Sequence, residues 1–404
     1  MNNKLNKEWI VIVCHEATMA GGANRSLIDW LSDASESEYL YYVIIPDEGA
    51  RCAILEKSLD NLRIKHCRAK YLRETYIRQS NTGVLQRAKS MVSKAVRAVF
   101  VRFLEGAVVN SAAESLKNLN VAAVLSNSIS TCFGYRLAEK LQVAHVWHVR
   151  EELKSMRLEY PQGFRLEEAA ENSSAIYISE AVQNDYKNRL NFLSEKVIHD
   201  KIVFGNPERS RDNTWLCKEK ECRAMSVGAL TDRKRHHIAI EAIHALKCSG
   251  VRVHLDIYGD GPEREALKRQ VKELGCEDLV ALKGYEVDIN NKRTSYDISI
   301  TASENESLGR ISLEAMYYGN LLIASNSGFN PYLIGDNERG ILFELDNVDQ
   351  LSDSIAWAID NGAAVKSILS RARTYAATFQ DPIVGSIEVF LKSVIKLYRN
   401  LNRI

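Results

Sequence analysis

The chain has 404 residues, of which 53 are Lys or Arg, 52 are Asp or Glu and 46% are hydrophobic, giving a net charge of +1. Single domains usually run to about 100–200 residues, so this length predicts two domains. The balanced charge and ordinary apolar content exclude a disordered chain and a wholly nucleic-acid-binding surface. We therefore expect no nucleic-acid partner.

The amino terminus and the cysteines predict a cytoplasmic protein. The first residues lack the basic region, apolar stretch and cleavage site of a signal peptide, and the apolar run 9–13 is too short to span a bilayer. Eight cysteines are scattered along the chain, and only Cys217 and Cys222 are close together. A zinc site would need a second pair, so we expect reduced thiols and no metal.

Short apolar runs alternate with longer helical patterns in both halves of the chain, which is typical of parallel sheets covered by helices on both faces. The first series of predicted strands is 10–14, 41–45, 122–125, 145–149, 175–178 and 201–204. The second series begins at 223 and continues at 253–258, 279–282, 298–301 and 321–324, with an amphipathic segment at 238–246. We predict two Rossmann-like domains, 1–207 and 208–380, and a helix at 381–404 that packs back on the first.

Three loops that follow predicted strands in the second half carry polar residues and glycines. Ligands of open parallel sheets bind beyond the carboxyl ends of the strands, so these loops are candidates for a site. The first contains Gly228 and Lys234, and the second begins at Gly259. Taken alone, the first is better explained as a solvated basic loop and the second as a tight turn.

The third loop holds Glu306 and leads into a helix that carries Glu314 eight positions later. Glu306 can accept hydrogen bonds from sugar hydroxyls, and Glu314 can face the ribose hydroxyls of a nucleotide. Between them, free backbone amides at a helix start can hold a pyrophosphate. The predicted donor-binding segment therefore adds Ser307, Leu308, Gly309 and Arg310.

This ordered set resembles the retaining glycosyltransferases of the GT-B fold, family 4 type. Lys234 matches that family's lysine, 259–262 its Gly-x-Gly-Pro turn, and Glu306 with Glu314 its Glu-x7-Glu pair; Gly328 and Pro331 match its last loop. The resemblance implies two domains facing each other across a cleft. It further implies transfer of a sugar from a nucleoside-diphosphate sugar with retention, without a cofactor or bound divalent ion.

The sequence departs from the family pattern at several positions. The family arginine falls on Ala229, and the glycine after the lysine falls on Arg235. Three further departures stand at Leu308, Phe329 and Tyr332. The missing cation could be replaced by Arg233, Arg235 or Arg310.

In the first half, the resemblance assigns Gly21 and Gly22 to the donor diphosphate and His148 to the vicinity of the reacting sugar. A glycine pair at a strand-to-helix turn and a histidine in a buried strand also have purely structural explanations. We predict Glu306, His148 and Lys234 as the catalytic residues.

The segment 63–104 is strongly basic, and its part 84–104 has a helical apolar stripe. Such a segment can lie on an anionic membrane surface, although an ordinary helix with a solvated basic face fits equally well. The hypothesis is a transferase acting on a glycan or lipid-linked glycan in bacterial surface polysaccharide biosynthesis, peripheral to the inner face of the membrane. The alternatives are a non-catalytic GT-B scaffold that partners an active transferase and a sugar-nucleotide epimerase on a similar fold.

Overall fold

The computed structural model describes residues 7–19, 22–71, 105–153, 164–205, 222–381 and 383–402. The chain divides into two compact units, Met1–Lys201 with Pro382–Ile404, and Ile202–Asp381. Each unit is built on one parallel sheet.

The first unit contains a parallel sheet in the order β3-β2-β1-β4-β5-β6-β7 among its described residues. Its strands are β1 Trp9–Val13, β2 Leu40–Pro46, β3 Lys65–Ala69, β4 Val121–Ser126, β5 Ala144–Val149, β6 Ser174–Tyr177 and β7 Glu195–Val197. Its helices are α1 Gly22–Leu31, α2 Ala53–Asn61, α3 with described residues 105–116, α4 Phe133–Leu141, α5 Leu166–Glu171 and α6 Glu180–Tyr186.

Both faces of this sheet are covered. Alternate residues of a strand point to opposite faces, and in β1 Ile10 and Ile12 join one apolar cluster while Val11 and Val13 join another. A strand buried on both sides reads as a continuous apolar run, which is why β1 was recognisable in the sequence.

The second unit contains a parallel sheet in the order β10-β9-β8-β11-β12-β13. Its strands are β8 Cys222–Val227, β9 Val253–Tyr258, β10 Val280–Gly284, β11 Ile298–Thr301, β12 Leu321–Ser325 and β13 Ile341–Phe343. Its helices are α7 His236–Cys248, α8 Arg264–Glu273, α9 Ile289–Arg293, α10 Arg310–Tyr318, α11 Asn330–Ile334, α12 Val348–Asp360 and α13 Gly362–Ala377.

The last helix, α14 Val384–Asn402, belongs to the first unit. Ile387, Leu391, Val394 and Ile395 recur at three- and four-residue spacing and are buried in the same cluster as Ile10. One apolar stripe of a helix is thus used to close one face of the first sheet.

The predicted pair of doubly wound parallel sheets is confirmed, whereas the strand predicted at 201–204 is wrong. These residues pair with no strand among those described. The Ile202 amide instead donates to the Phe379 carbonyl at 2.8 Å, and the Phe204 ring stacks on Tyr317 with centroids 4.0 Å apart. These residues are apolar because they are buried against helices and not because they belong to a strand. The edge strands β3 and β7 were not predicted, because their residues are polar and form no apolar run.

Candidate functional site

In the second unit, the strand order reverses between β8 and β11. The loops after these two strands therefore leave the sheet side by side, which is where open α/β sheets bind ligands. The Glu304 amide donates to the Arg233 carbonyl at 2.9 Å, and the Arg233 guanidinium donates to the Asn305 carbonyl at 3.3 Å. The fold thus brings the Lys234 loop against the Glu306 loop.

Lys234 and Glu306 form an ion pair across this junction, with side chains only 15% and 14% exposed. Burial by itself would raise the pKa of Glu306. Lys234, Arg233 and a hydrogen bond from Ser303 outweigh burial and lower the pKa to about 2. Glu306 is therefore an anion at neutral pH. Its partner is Lys234, the cation that we predicted to contact a diphosphate.

The backbone of Glu306 is fixed by the loop after β12. The Phe329 amide donates to the Glu306 carbonyl at 2.7 Å. Gly328, at φ +59°, lies so close that a Cβ there would stand 2.5 Å from the same carbonyl oxygen. Only glycine fits this conformation and this approach without displacement. Gly328 thus has a packing role against the backbone of Glu306.

The segment after Glu306 turns into α10 through Gly309, which has φ +71° and ψ +46° immediately before the helix. Leu308 is 4% exposed and packs inward, while Ser307 and Arg310 are partly buried. The first amides of a helix have no intrahelical acceptor and carry the positive end of its dipole. The amino end of α10 therefore follows Glu306 directly, as the spacing predicted.

Glu314 lies one turn further along α10 and is only 2% exposed. Its two carboxylate oxygens accept from different arginines, Oε2 from Arg293 Nη2 at 3.1 Å and Oε1 from Arg310 Nε at 3.2 Å. Each ionised carboxylate oxygen can accept about two hydrogen bonds. Glu314 is thus a buried carboxylate with an arginine partner on each oxygen and acceptor capacity remaining.

Gly228 and Gly259 bring the loops after β8 and β9 together. The Gly228 amide donates to the Tyr258 carbonyl at 2.9 Å, and a Cβ on Gly259, at φ +144°, would overlap the Gly228 carbonyl oxygen. A Cβ on Gly228 would approach Lys234 Cδ to 3.3 Å. The absence of a side chain at Gly259 therefore lets the two loops approach, and Gly228 lies beside the Lys234 side chain.

The three arginines considered as replacements for the cation missing at Ala229 differ in their surroundings. Arg235 is paired with Asp232 at 3.2 Å, Glu304 at 3.2 Å and Asp346 at 3.4 Å. Arg310 is paired with Glu314, whereas Arg233 is exposed and lies close enough to lower the pKa of Glu306. Arg235 also adopts φ +51°, the left-handed conformation that a glycine would favour.

In the first unit, Gly21 lies outside the described residues, and Gly22 begins α1 with nothing within 4 Å of a Cβ placed on it. The strand order of this sheet reverses between β1 and β4. The Asn127 side-chain amide, just after β4, donates to the Ala23 carbonyl at 3.4 Å. Gly22 therefore stands at the switch point of its own sheet, at the start of a helix.

His148 is the centre of a buried polar cluster in the first unit. The Arg150 Nη2 atom donates to His148 Nδ1 at 3.1 Å, and His148 Nε2 lies 3.7 Å from an oxygen of Asp200. Burial and Arg150 lower the pKa of His148 to about 3, although Asp200 opposes them. His148 is therefore neutral. Because a guanidinium only donates, Nδ1 must accept and Nε2 carries the proton.

No sequence pattern pointed to the supporting residues of these clusters. Asp200 is buried, forms an ion pair with Arg150 and has a pKa that Arg150 and His148 lower against burial. Asn127 accepts from Arg150 Nε at 3.0 Å. Arg293, the partner of Glu314, lies in a polar run without a recognisable motif. Long-range packing alone brings these residues to the predicted ones.

Within the ranges described, no three His, Cys, Asp or Glu side chains are grouped as metal ligands. The same ranges contain no helix with the length and hydropathy needed to cross a bilayer. Most of the basic segment, 72–104, lies outside the described residues.

Two doubly wound units with charged loops at their switch points define the GT-B class, and solved GT-B structures share this fold over almost the whole chain. A glycosyltransferase from Rickettsia africae matches with a TM-score of 0.70 at 19% identity, covering 98% of both chains. HepE of Anabaena, solved with UDP-glucose, matches with a TM-score of 0.70 at 19% identity, covering 96% of this chain and 99% of its own. The predicted GT-B fold is confirmed.

Residues 209–376 match the family model described as Glycosyl transferases group 1. The lipopolysaccharide core biosynthesis glycosyltransferase LpsE of Rhizobium meliloti is 28% identical over 36% of this chain and 41% of its own. The poly(ribitol-phosphate) alpha-N-acetylglucosaminyltransferase of Staphylococcus aureus is 22% identical over 59% of this chain and 47% of its own. The chain thus spans about half or less of the length of these two relatives.

Proposed function

We propose that the protein transfers a sugar from a nucleoside-diphosphate sugar to an acceptor hydroxyl. The observation that carries the proposal is the Lys234–Glu306 ion pair, placed at a switch point immediately before the amino end of α10. This ion pair places a cation that can bind a diphosphate next to an anion that can accept hydrogen bonds from sugar hydroxyls. The family of residues 209–376 supports the same reaction class.

The ion pair suggests how a donor would be bound. The diphosphate would take Lys234, and the hydroxyls of the sugar would replace Lys234 as partners of Glu306. Negative charge that develops on the leaving diphosphate would be stabilised by Lys234 and by the α10 amides. We assign Glu306 a sugar-positioning role, with retention of anomeric configuration and no bound divalent ion.

We assign His148 a neutral role. Since burial keeps the pKa of its ring near 3 and Arg150 occupies Nδ1, it can offer the Nε2 proton to a hydroxyl but is not a cationic acid at neutral pH. Among the three arginines, we propose Arg233 as the replacement for the missing cation, because Arg235 and Arg310 already pair with carboxylates. The pyrophosphate contacts of Gly21 and Gly22 belong to the same proposal.

We further propose a glycan or lipid-linked glycan acceptor in bacterial surface polysaccharide biosynthesis, as the names of the two relatives suggest. The protein would act at the cytoplasmic face of the membrane, held there by the basic segment 63–104. Flotation with vesicles of anionic lipid, with and without that segment, tests the membrane contact; equal flotation of both forms would exclude it.

The reaction is tested with the purified full chain and UDP-, GDP- and ADP-sugars. A sugar nucleotide that binds the folded protein raises its melting temperature, which selects the donor. Glu306→Gln should then reduce donor turnover by about 100-fold or more, because a small displacement of a reacting group costs that much. Lys234→Ala should weaken donor binding. Lys247→Ala and Glu265→Gln, on exposed ion pairs of the same unit, serve as controls.

The same experiment separates the alternatives. A transferase releases nucleoside diphosphate from the donor, whereas an epimerase converts the donor into another sugar nucleotide without releasing it. A non-catalytic scaffold, which the departures at Ala229 and Tyr332 would favour, does neither. Wild-type turnover in the Glu306→Gln variant would refute the site.

A further inference from the structure

Arg293 is the feature of the second unit that the proposed reaction leaves unexplained. It ends α9 and is 0% exposed, which is rare for a guanidinium because burying a charge is costly. Burial accordingly lowers the pKa of Arg293, against the opposing effect of Glu314.

Arg293 is held along its whole length. Its Nε donates to Asn290 Oδ1 at 3.0 Å, and its carbonyl accepts from Asn320 Nδ2 at 2.8 Å. Asn320 Nδ2 also donates to the Tyr296 carbonyl at 2.7 Å. The guanidinium is thereby fixed before it reaches Glu314 Oε2 at 3.1 Å.

The two arginines that contact Glu314 differ in rigidity. Arg310 stands four residues away on the same helix and keeps 16% of its side chain exposed. Arg293 comes from another helix and is completely enclosed. A buried ion pair adds little stability compared with well-packed apolar residues of the same volume, so stability alone does not account for this one. What the enclosed pair supplies is a fixed direction for the Glu314 carboxylate.

We infer that Arg293 is a positioning residue that orients Glu314 towards the ribose hydroxyls of the donor nucleotide. The inference rests on the proposed function. With Oε2 anchored by Arg293 and Oε1 contacted by Arg310, the acceptor sites left on the carboxylate point in one defined direction. Arg293 itself touches no substrate.

The test compares nucleotides that differ only in the ribose. Calorimetry measures binding of UDP, GDP and ADP to the full chain, and the tightest of the three is compared with its 2′-deoxy and 3′-deoxy counterparts. Wild-type protein should prefer the ribonucleotide by about 10-fold or more, as expected for a hydrogen bond to a charged acceptor. In Arg293→Met this preference should fall below about threefold, while affinity for the deoxy forms changes little.

Four further variants make the result specific. Arg293→Lys keeps the positive charge but loses the planar, forked arrangement of donors in the guanidinium. This variant should therefore recover part of the ribose preference. Glu314→Gln should lose the preference, and adding Arg293→Met to it should cause no further loss, because both act through one carboxylate. Arg252→Met, on an exposed pair with Asp278, should keep the wild-type preference.

The outcomes are distinct. If the Arg293 variants bind ribo and deoxy nucleotides with the wild-type ratio, Arg293 is only structural and the inference fails while the proposed function stands. If wild-type protein binds none of the three nucleotides, both fail. Should Arg293→Met not fold, Arg293→Lys decides alone, since an unchanged ratio in that variant overturns the inference.

Discussion

Replacing Glu306 with Gln should strengthen the binding of a nucleoside diphosphate while abolishing most sugar transfer. Lys234 is already paired with Glu306 in a largely enclosed position. A diphosphate that needs Lys234 must therefore compete with that carboxylate. Gln has almost the same shape but no charge, so the variant removes the competitor and leaves the loop in place.

The size of the effect follows from the pKa of Glu306, which is lowered from 4.5 to about 2 although burial acts in the opposite direction. A difference of that size corresponds to roughly 3 kcal/mol of net stabilisation of the charged carboxylate. Lys234, Arg233 and Ser303 together provide this stabilisation. A charge-assisted contact is worth about 1.5–3 kcal/mol. The diphosphate should therefore bind to Glu306→Gln at least about 10-fold more tightly than to the wild-type protein.

The assay is calorimetric titration of the nucleoside diphosphate into wild-type protein, Glu306→Gln and the exposed control Glu265→Gln, at pH 5.5 and 7.5. Because the folded-state pKa of Glu306 is depressed, its pairing is present above the ordinary pKa of a glutamate and is lost only as the pH falls towards 2. Glu306 is therefore charged at both pH values, and the gain should be present at both. Unchanged or weaker binding in Glu306→Gln would refute the competition.

Other positions give sharp expectations. Gly328→Ala should prevent donor binding and lower the melting temperature, since the new Cβ meets the backbone of Glu306 at a positive φ; normal donor affinity would contradict the packing argument. Arg235→Gly should change the free energy of unfolding by no more than about 1 kcal/mol, because relief of the left-handed backbone offsets three ion pairs whose acidic partners are exposed; urea titration measures it, and a larger loss would show that the pairs matter more. Asp200→Asn should destabilise by about 3–5 kcal/mol at pH 7, because it leaves Arg150 buried without its anion. The folded-state pKa of Asp200 is lowered, so the difference from wild type should shrink as the pH falls below the ordinary range of an aspartate, and a constant difference would refute that account.

Sequence reasoning succeeded for strands that are buried on both faces. Ile10 to Val13 and Leu321 to Ala324 are uninterrupted apolar runs because helices cover both sides of each sheet. It failed for β3 and β7, which lie at sheet edges and carry charged residues, and for 201–204, whose apolar side chains pack outside the sheet. The physical reason is that apolar periodicity reports burial, whichever element provides it.

For the site, the sequence located Lys234 and Glu306 because each follows a strand, and parallel strands end at one edge. Their mutual contact depends on the reversal between β8 and β11, which a linear pattern does not display. Arg293 and Asp200 stand in polar stretches and acquire their meaning only from distant partners, Glu314 and Arg150. No local period or motif could have identified them.

The charges around the switch point of the second unit suggest how a donor would be distinguished from its own product. Four cations there already contact carboxylates, in the groups Lys234 with Glu306, Arg235 with three acids, and Arg293 and Arg310 with Glu314. Such a site attracts a phosphate less through excess positive charge than because the phosphate replaces a carboxylate as the partner of a cation. An intact donor would compensate both members of the Lys234–Glu306 pair, with diphosphate for one and sugar hydroxyls for the other. A released nucleoside diphosphate would compensate only the lysine and leave Glu306 without its lysine partner in a poorly solvated position, which favours departure of the diphosphate. Wild-type protein should accordingly bind donor more tightly than product, and Glu306→Gln should reverse that order.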